Sequence, residues 1–245
     1  MSNANAKQKL LQRLGPSLRK DLGVSEPEQR PILDEIIYAI CRENVSRAQA
    51  DAAYARLRSH FFDWNEVRVS TAREIADAII DLPQSFARAE RIIKVLQDVF
   101  ETSYSFDLEG LTKKGLKPAE KLIERYAGNN RFVTAHVLQN GLGGHAIPID
   151  AGILRLLRRL EVLDPKDTAE TAQSALEHLI PKAKGPLAFE MLSALAHEYC
   201  LEEGPRCKSC PLQDQCPSAG KLTTPKRKSE ASATVKSAKR QTRAH

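Results

Sequence analysis

The chain has 245 residues, 42% hydrophobic and 28% charged, an ordinary balance for a globular protein with a substantial core. It contains no apolar run long enough for a bilayer span, and its N-terminus lacks the apolar stretch of a secretory signal. A cytoplasmic, reducing setting without membrane association is therefore expected, nucleoid-associated if the source is bacterial. The net charge of +6 sits at the ends: residues 1–30 carry six basic and three acidic groups, residues 221–245 carry eight and one, and the body 31–220 carries 23 and 27.

Residues 1–30 read as a basic N-terminal extension with a first helix. Apolar residues then recur at three- and four-residue intervals in "PILDEIIYAICREN" (31–44), "STAREIADAIIDL" (70–82), "SFARAERIIKVLQDVFE" (85–101) and "KPAEKLIERYAG" (117–128). The same period continues through "RFVTAHVLQNGLG" (131–143), "DAGILRLLRRLEVL" (150–163), "TAETAQSALEHLI" (168–180) and "GPLAFEMLSALAHEYC" (185–200). Ser70 and Asp150 are candidate N-caps, Pro118 and Pro186 suit first turns, and Gly128 suits a helix end. No strand alternates convincingly, and aromatic residues are only 5%, so the fold class is all-α. The helical body spans 31–199. The segment 217–245 has little apolar content and is expected to be a disordered basic tail, either merely solvated or an electrostatic tether to nucleic acid.

Four of the five cysteines lie in "CLEEGPRCKSCPLQDQC" (200–216), spaced Cys-x6-Cys-x2-Cys-x5-Cys. Cys41, in an apolar run, reads as a buried inert thiol. A reducing compartment disfavours disulfides among the four. Zinc usually draws on two Cys-x2-Cys knuckles, and only Cys207 and Cys210 form one. A single compact loop also suits a cubane in which each iron takes one thiolate. Zinc and an iron–sulfur cluster both remain open on spacing alone.

This cysteine spacing, following a helix late in an all-helical chain, resembles the [4Fe–4S] loop of the endonuclease III family of DNA glycosylases. The likeness extends upstream. "PILDEIIYAICREN" is similar to the family's first core helix, "ARAERIIKVLQ" (87–97) to its Lys-Ala-x-x-Ile-Ile helix, and residues 126–160 to its helix–hairpin–helix and catalytic segment. The resemblance implies two helical lobes with duplex DNA across the cleft between them, and a [4Fe–4S] cluster held by Cys200, Cys207, Cys210 and Cys216. It implies DNA contact through the hairpin residues Gly128, Asn129, Asn130 and Arg131, and a catalytic role for Asp150. That carboxylate would activate a nucleophile and oppose the positive charge of the sugar as the base leaves. A monomer is expected, and no protein partner is inferred.

The chain departs from the family pattern at three places. Asn130 stands where the hairpin has its second glycine, and Asn tolerates the left-handed backbone such a turn uses. Phe132 stands where strand-cutting members carry the lysine that forms a Schiff base, so lyase activity is not expected. In the first helix, Cys41-Arg42-Glu43-Asn44 replaces a glutamine-bearing stretch, and Glu43 would face a polyanion. Two functions follow from the resemblance: a monofunctional glycosylase hydrolysing the bond to a damaged or mismatched base, or a catalytically inactive iron–sulfur DNA-binding protein of the same fold. A zinc-stapled helical interaction protein is the third reading.

Overall fold

The structure, a computed structural model, describes residues 2–126 and 130–223. Gly128, Asn129 and the tail from 224 onward lie outside the described residues. Among those described there is helix and no strand.

The chain opens with α1 (Ser2–Arg13) and α2 (Pro16–Leu22), which ends on Gly23 in a left-handed cap. Helix α3 (Ile32–Arg42) is the axis of the molecule: ten of its eleven residues are buried. Apolar residues dominate its sequence, and Glu35 and Arg42 are buried with them, so other helices enclose nearly all of it. Around it lie α4 (Arg47–His60), α5 (Trp64–Val69), α6 (Ala72–Ala78), α7 (Ser85–Ser103), α8 (Leu116–Tyr126) and α9 (Arg131–Asn140). A second group comprises α10 (Ala151–Arg159), α11 (Ala169–Leu179) and α12 (Gly185–Ala194), which runs into a wide π turn at Leu195–Tyr199. The cysteine loop follows, then α13 (Ala219–Thr223). Helix α12 packs on α2 and α10 and also reaches α4 and α9, joining the two groups.

Local chemistry sets the helix ends. Ser46 and Thr71 form capping boxes with Gln49 and Glu74, each side chain accepting from the other residue's backbone amide. The expectation that Ser70 caps its helix is corrected: Ser70 closes α5, and Thr71 starts α6. Asp150 does cap α10, and Pro186 occupies the first turn of α12. Helix α4 was not anticipated. Its inward positions are Ala50, Ala53 and Leu57, too small to leave a strong apolar signature.

The centre of the molecule holds charge as well as hydrocarbon. His136 on α9 meets Glu35 on α3 at 2.8 Å, both fully buried. Arg42 at the end of α3 donates to Ser193 Oγ at 2.7 Å and to the Val45 carbonyl, and lies 3.4 Å from the Glu190 carboxylate. Removing one partner of such a pair strands the other's charge in a low-dielectric interior. Glu190→Ala is therefore expected to cost about 3–5 kcal/mol, measured by urea unfolding, and adding Arg42→Met should recover part of the loss.

Candidate active site

Asp150 begins α10, and its carboxylate is almost fully enclosed, with 1% of the side chain exposed. The preceding Ala146, Ile147 and Ile149 are buried, which anchors the chain as it enters the helix. Oδ1 accepts the amide of Ile153 at 2.8 Å, the usual N-cap bond. Oδ2 accepts the amide of Asn44 at 3.1 Å and lies 2.7 Å from His197 Nε2. Burial opposes ionisation of Asp150, yet the His197 hydrogen bond and charge, the Ile153 amide and the Arg42 charge outweigh it, and its pKa is lowered. Asp150 is thus a carboxylate at neutral pH, held by three donors.

Asn44 completes the clasp from the other side. It sits just past α3 with φ +60°, a conformation Asn accepts more readily than most residues. Its Oδ1 accepts the amide of Ala151 at 3.0 Å while its own amide reaches Asp150. The end of α3 and the start of α10 are thereby hydrogen-bonded to each other in both directions. Arg88 of α7 tightens the same corner, donating to the carbonyls of Ile40, Glu43 and Pro83. Arginine at a helix C-terminus satisfies carbonyls that the helix itself leaves free.

The ring of His197 lies flat against Gly152. A Cβ at that glycine would come within 2.5 Å of His197 Cε1, so only glycine admits the ring there. A cavity of about 350 Å³ opens beside this corner, lined by Asn44, Gln84, Arg88, Gly152, Arg155 and His197 among others. Its walls carry Arg88 and Arg155, which donate to backbone carbonyls, together with Glu202.

The departures noted in the sequence take physical form. Asn130 is extended, with φ −85°, so the expectation of a left-handed residue is corrected. It serves instead as the N-cap of α9: its Oδ1 accepts from the Val133 amide at 3.1 Å. Its Nδ2 donates to both carboxylate oxygens of Glu43, at 3.1 and 3.2 Å. Glu43 also pairs with Arg91 at 2.7 Å, so its charge is met within the protein. Arg131 is half exposed and pairs with Glu170 at 2.9 Å. Phe132 turns inward, with ring centroids 5.8 Å from His136 and 6.1 Å from Phe189. Its ring is 4% exposed and is part of the core.

The cysteine loop docks on the far end of α10. All five cysteines are free thiols; Cys41 is fully buried, and its pKa is pushed up to about 12 by that burial. Arg159 donates to Cys200 Sγ at 3.4 Å and to the carbonyl of Leu201 at 2.7 Å, while Arg155 donates to the Cys200 carbonyl at 2.9 Å. The amide of Leu212 approaches Cys210 Sγ at 3.5 Å. Burial raises the Cys210 pKa, and the charges of Cys200, Cys216 and Cys207 raise it further. No group of three or more His, Cys, Asp or Glu among the described residues is gathered to hold a single metal ion. N–H donors approach Cys200, Cys210 and Cys216: Arg159, the amide of Leu212, and the amides of Ser218 and Ala219. N–H donors at a thiolate sulfur are the kind of outer-shell contact that tunes a sulfur-held metal group.

Sequence reasoning located Asp150 and the cysteines but missed Asn44, Arg88 and His197. Gly152, a glycine in the first turn of a helix, was the sole sequence trace of the histidine packed on it.

No family model matches the chain. Endonuclease III of Bacillus subtilis is 24% identical over 171 residues, covering 61% of this chain and 78% of that protein. DEMETER-like protein 3 of Arabidopsis thaliana is 25% identical over 171 residues, but these make up 16% of its length. Among solved structures, a non-covalent endonuclease III–DNA complex aligns with TM-score 0.68 at 18% identity, covering 88% of this chain and 97% of that one. A thermostable thymine-DNA glycosylase aligns with TM-score 0.62 at 16% identity, over 90% of this chain and all of that one. The chain shares the helical fold of these proteins. No helix among the described residues is long and apolar enough to cross a membrane.

Proposed function

We propose that this divergent, endonuclease III-like protein of helix–hairpin–helix DNA glycosylase fold removes a damaged or mismatched base by hydrolysis, leaving the DNA strand intact. The observation that carries the reading is the ionised Asp150 carboxylate, fixed at a helix start beside an arginine-lined cavity. As the glycosidic bond breaks, positive charge grows on the sugar, and a preorganised anion stabilises it without reorganising. The target nucleotide would have to leave the duplex stack to reach this corner. Duplex DNA is the partner, bound as a monomer, with Arg131 and the hairpin segment at 128–130 contributing contacts. Cys200, Cys207, Cys210 and Cys216 would hold a [4Fe–4S] cluster. When bound, that group would tie four points of one loop together.

A second reading, an inactive DNA-binding protein of the same fold, is favoured by the engagement of both Asp150 oxygens by donors within the protein. One experiment separates the two. A panel of duplexes, each with a single lesion or mismatch, is assayed for abasic sites with wild type and Asp150→Asn. A glycosylase should release base from at least one duplex, and Asp150→Asn should lower that rate by about 100- to 10 000-fold. DNA binding without base release on any duplex would favour the inactive reading.

A further inference from the structure

Asp150 is well placed to stabilise charge but badly placed to take a proton. Its side chain is 1% exposed, and three N–H groups already occupy its two oxygens. The group between Asp150 and the cavity is His197. Its Nε2 is engaged by Asp150 Oδ2 at 2.7 Å, while its Nδ1 has no hydrogen-bond partner among the described residues. The ring itself lines the cavity. An ionised carboxylate accepts only, so it selects the tautomer with the proton on Nε2 and leaves Nδ1 bare.

We propose that His197 is the general base of the site and that Asp150 orients it and bears the compensating charge. The proposal rests on the base-hydrolysis reading above. In the step it describes, a water oxygen bonds to the sugar C1′ as the C1′–N bond breaks, and the bonding pair leaves with the base. One water proton passes to His197 Nδ1. The imidazolium so formed faces the Asp150 carboxylate, and the proton then passes to the departing base nitrogen, so the products are a sugar hydroxyl and the protonated free base. His197 sits in the wide turn between α12 and the cysteine loop, where an extra backbone residue pushes a side chain out of helical register. Gly152 admits the ring, and Asn44 holds the carboxylate from behind.

The surrounding charges are mixed. Arg88 of α7 and Arg155 of α10 share the cavity with Glu202, Arg42 of α3 acts on Asp150, and Glu198 adjoins the histidine in sequence.

Two measurements on the full-length protein decide the matter. The first is the pH profile, from pH 5 to 9, of single-turnover base release on whichever duplex of the lesion panel reacts. Wild type should speed up as imidazole loses its proton and then level off. His197→Gln keeps an N–H donor for Asp150 but has no base, so it should lose about 100- to 10 000-fold and the rising limb with it. A His197→Gln enzyme within tenfold of wild type, with the limb retained, would overturn the proposal and return the proton to Asp150. The second measurement needs no activity. Nitrogen-15 spectra of labelled histidine should show His197 neutral at pH 7.5, protonated on Nε2 and bare on Nδ1, with the signal displaced in Asp150→Asn. A ring protonated on Nδ1, or an imidazolium persisting to pH 9, would rule out the base. If no duplex reacts, hydrolysis itself fails, and the spectra alone decide whether the dyad exists.

Discussion

Abasic duplex incubated with the protein and borohydride is expected to yield no covalent adduct. Trapping requires an amine at the sugar carbon. The aligned side chain, Phe132, is a hydrocarbon ring packed among His136 and Phe189. Its neighbour Arg131 stays protonated and is paired with Glu170. The residues lining the cavity beside Asp150 include arginines but no lysine. Any product should therefore be an intact strand bearing an abasic site that breaks only in alkali. Phe132→Lys is not expected to restore trapping, since it would place an ammonium where the ring is 4% exposed, against two other rings. Burying that charge costs several kcal/mol unless the amine stays neutral, so the variant should unfold more easily than wild type. An adduct that survives replacement of every lysine near the cleft would mean that the nucleophile lies outside the 126–150 alignment.

The readable and unreadable parts of the chain differ for physical reasons. Helices α3, α7, α10 and α12 announced themselves because large apolar side chains recur along them at helical spacing. Helix α4 did not, because alanine fills two of its three buried positions. Asp150 was legible twice, as an N-cap before an apolar run and by its place in a family pattern. The partners that define its chemistry were not. Asn44 is 106 residues away and His197 is 47 away, and both contacts depend on how helices pack rather than on any local spacing. Asn130 shows the opposite error. A residue known to tolerate the left-handed region was assigned to it, whereas the carboxylate of Glu43, brought over by α3, gives its amide a partner in an extended cap. Glu43 looked hostile to DNA in the sequence for the same reason: Arg91 and Asn130, which meet its charge, are remote in the chain.

With the proposed cluster in place the purified protein is expected to be brown and to carry iron, and replacing Cys207 or Cys210 by alanine is expected to remove both and to loosen one group of helices more than the other. Ligand binding and loop folding are coupled, because four scattered thiolates cost conformational entropy to gather without the group they share. The loop is also the far anchor of α10. Arg155 and Arg159, on the last two turns of that helix, clasp the carbonyls of Cys200 and Leu201, and the Arg159 carbonyl accepts from Ser218 Oγ at 2.9 Å. Asp150 caps the other end of the same helix, and His197 precedes Cys200 by a single turn of chain. A loosened loop should therefore be felt nine residues away at the carboxylate. In hydrogen exchange, amides of α10 and of 195–199 should lose protection in Cys207→Ala, while those of α3 and α7, held by the core around Ile36, Ile40 and Leu96, should keep it. Base release should fall along with the exposed α10 amides. Iron loss with α10 as protected as in wild type would show that the loop is a clip on the surface, and that the Asp150 corner stands without it on Asn44, His197 and the packing of α10.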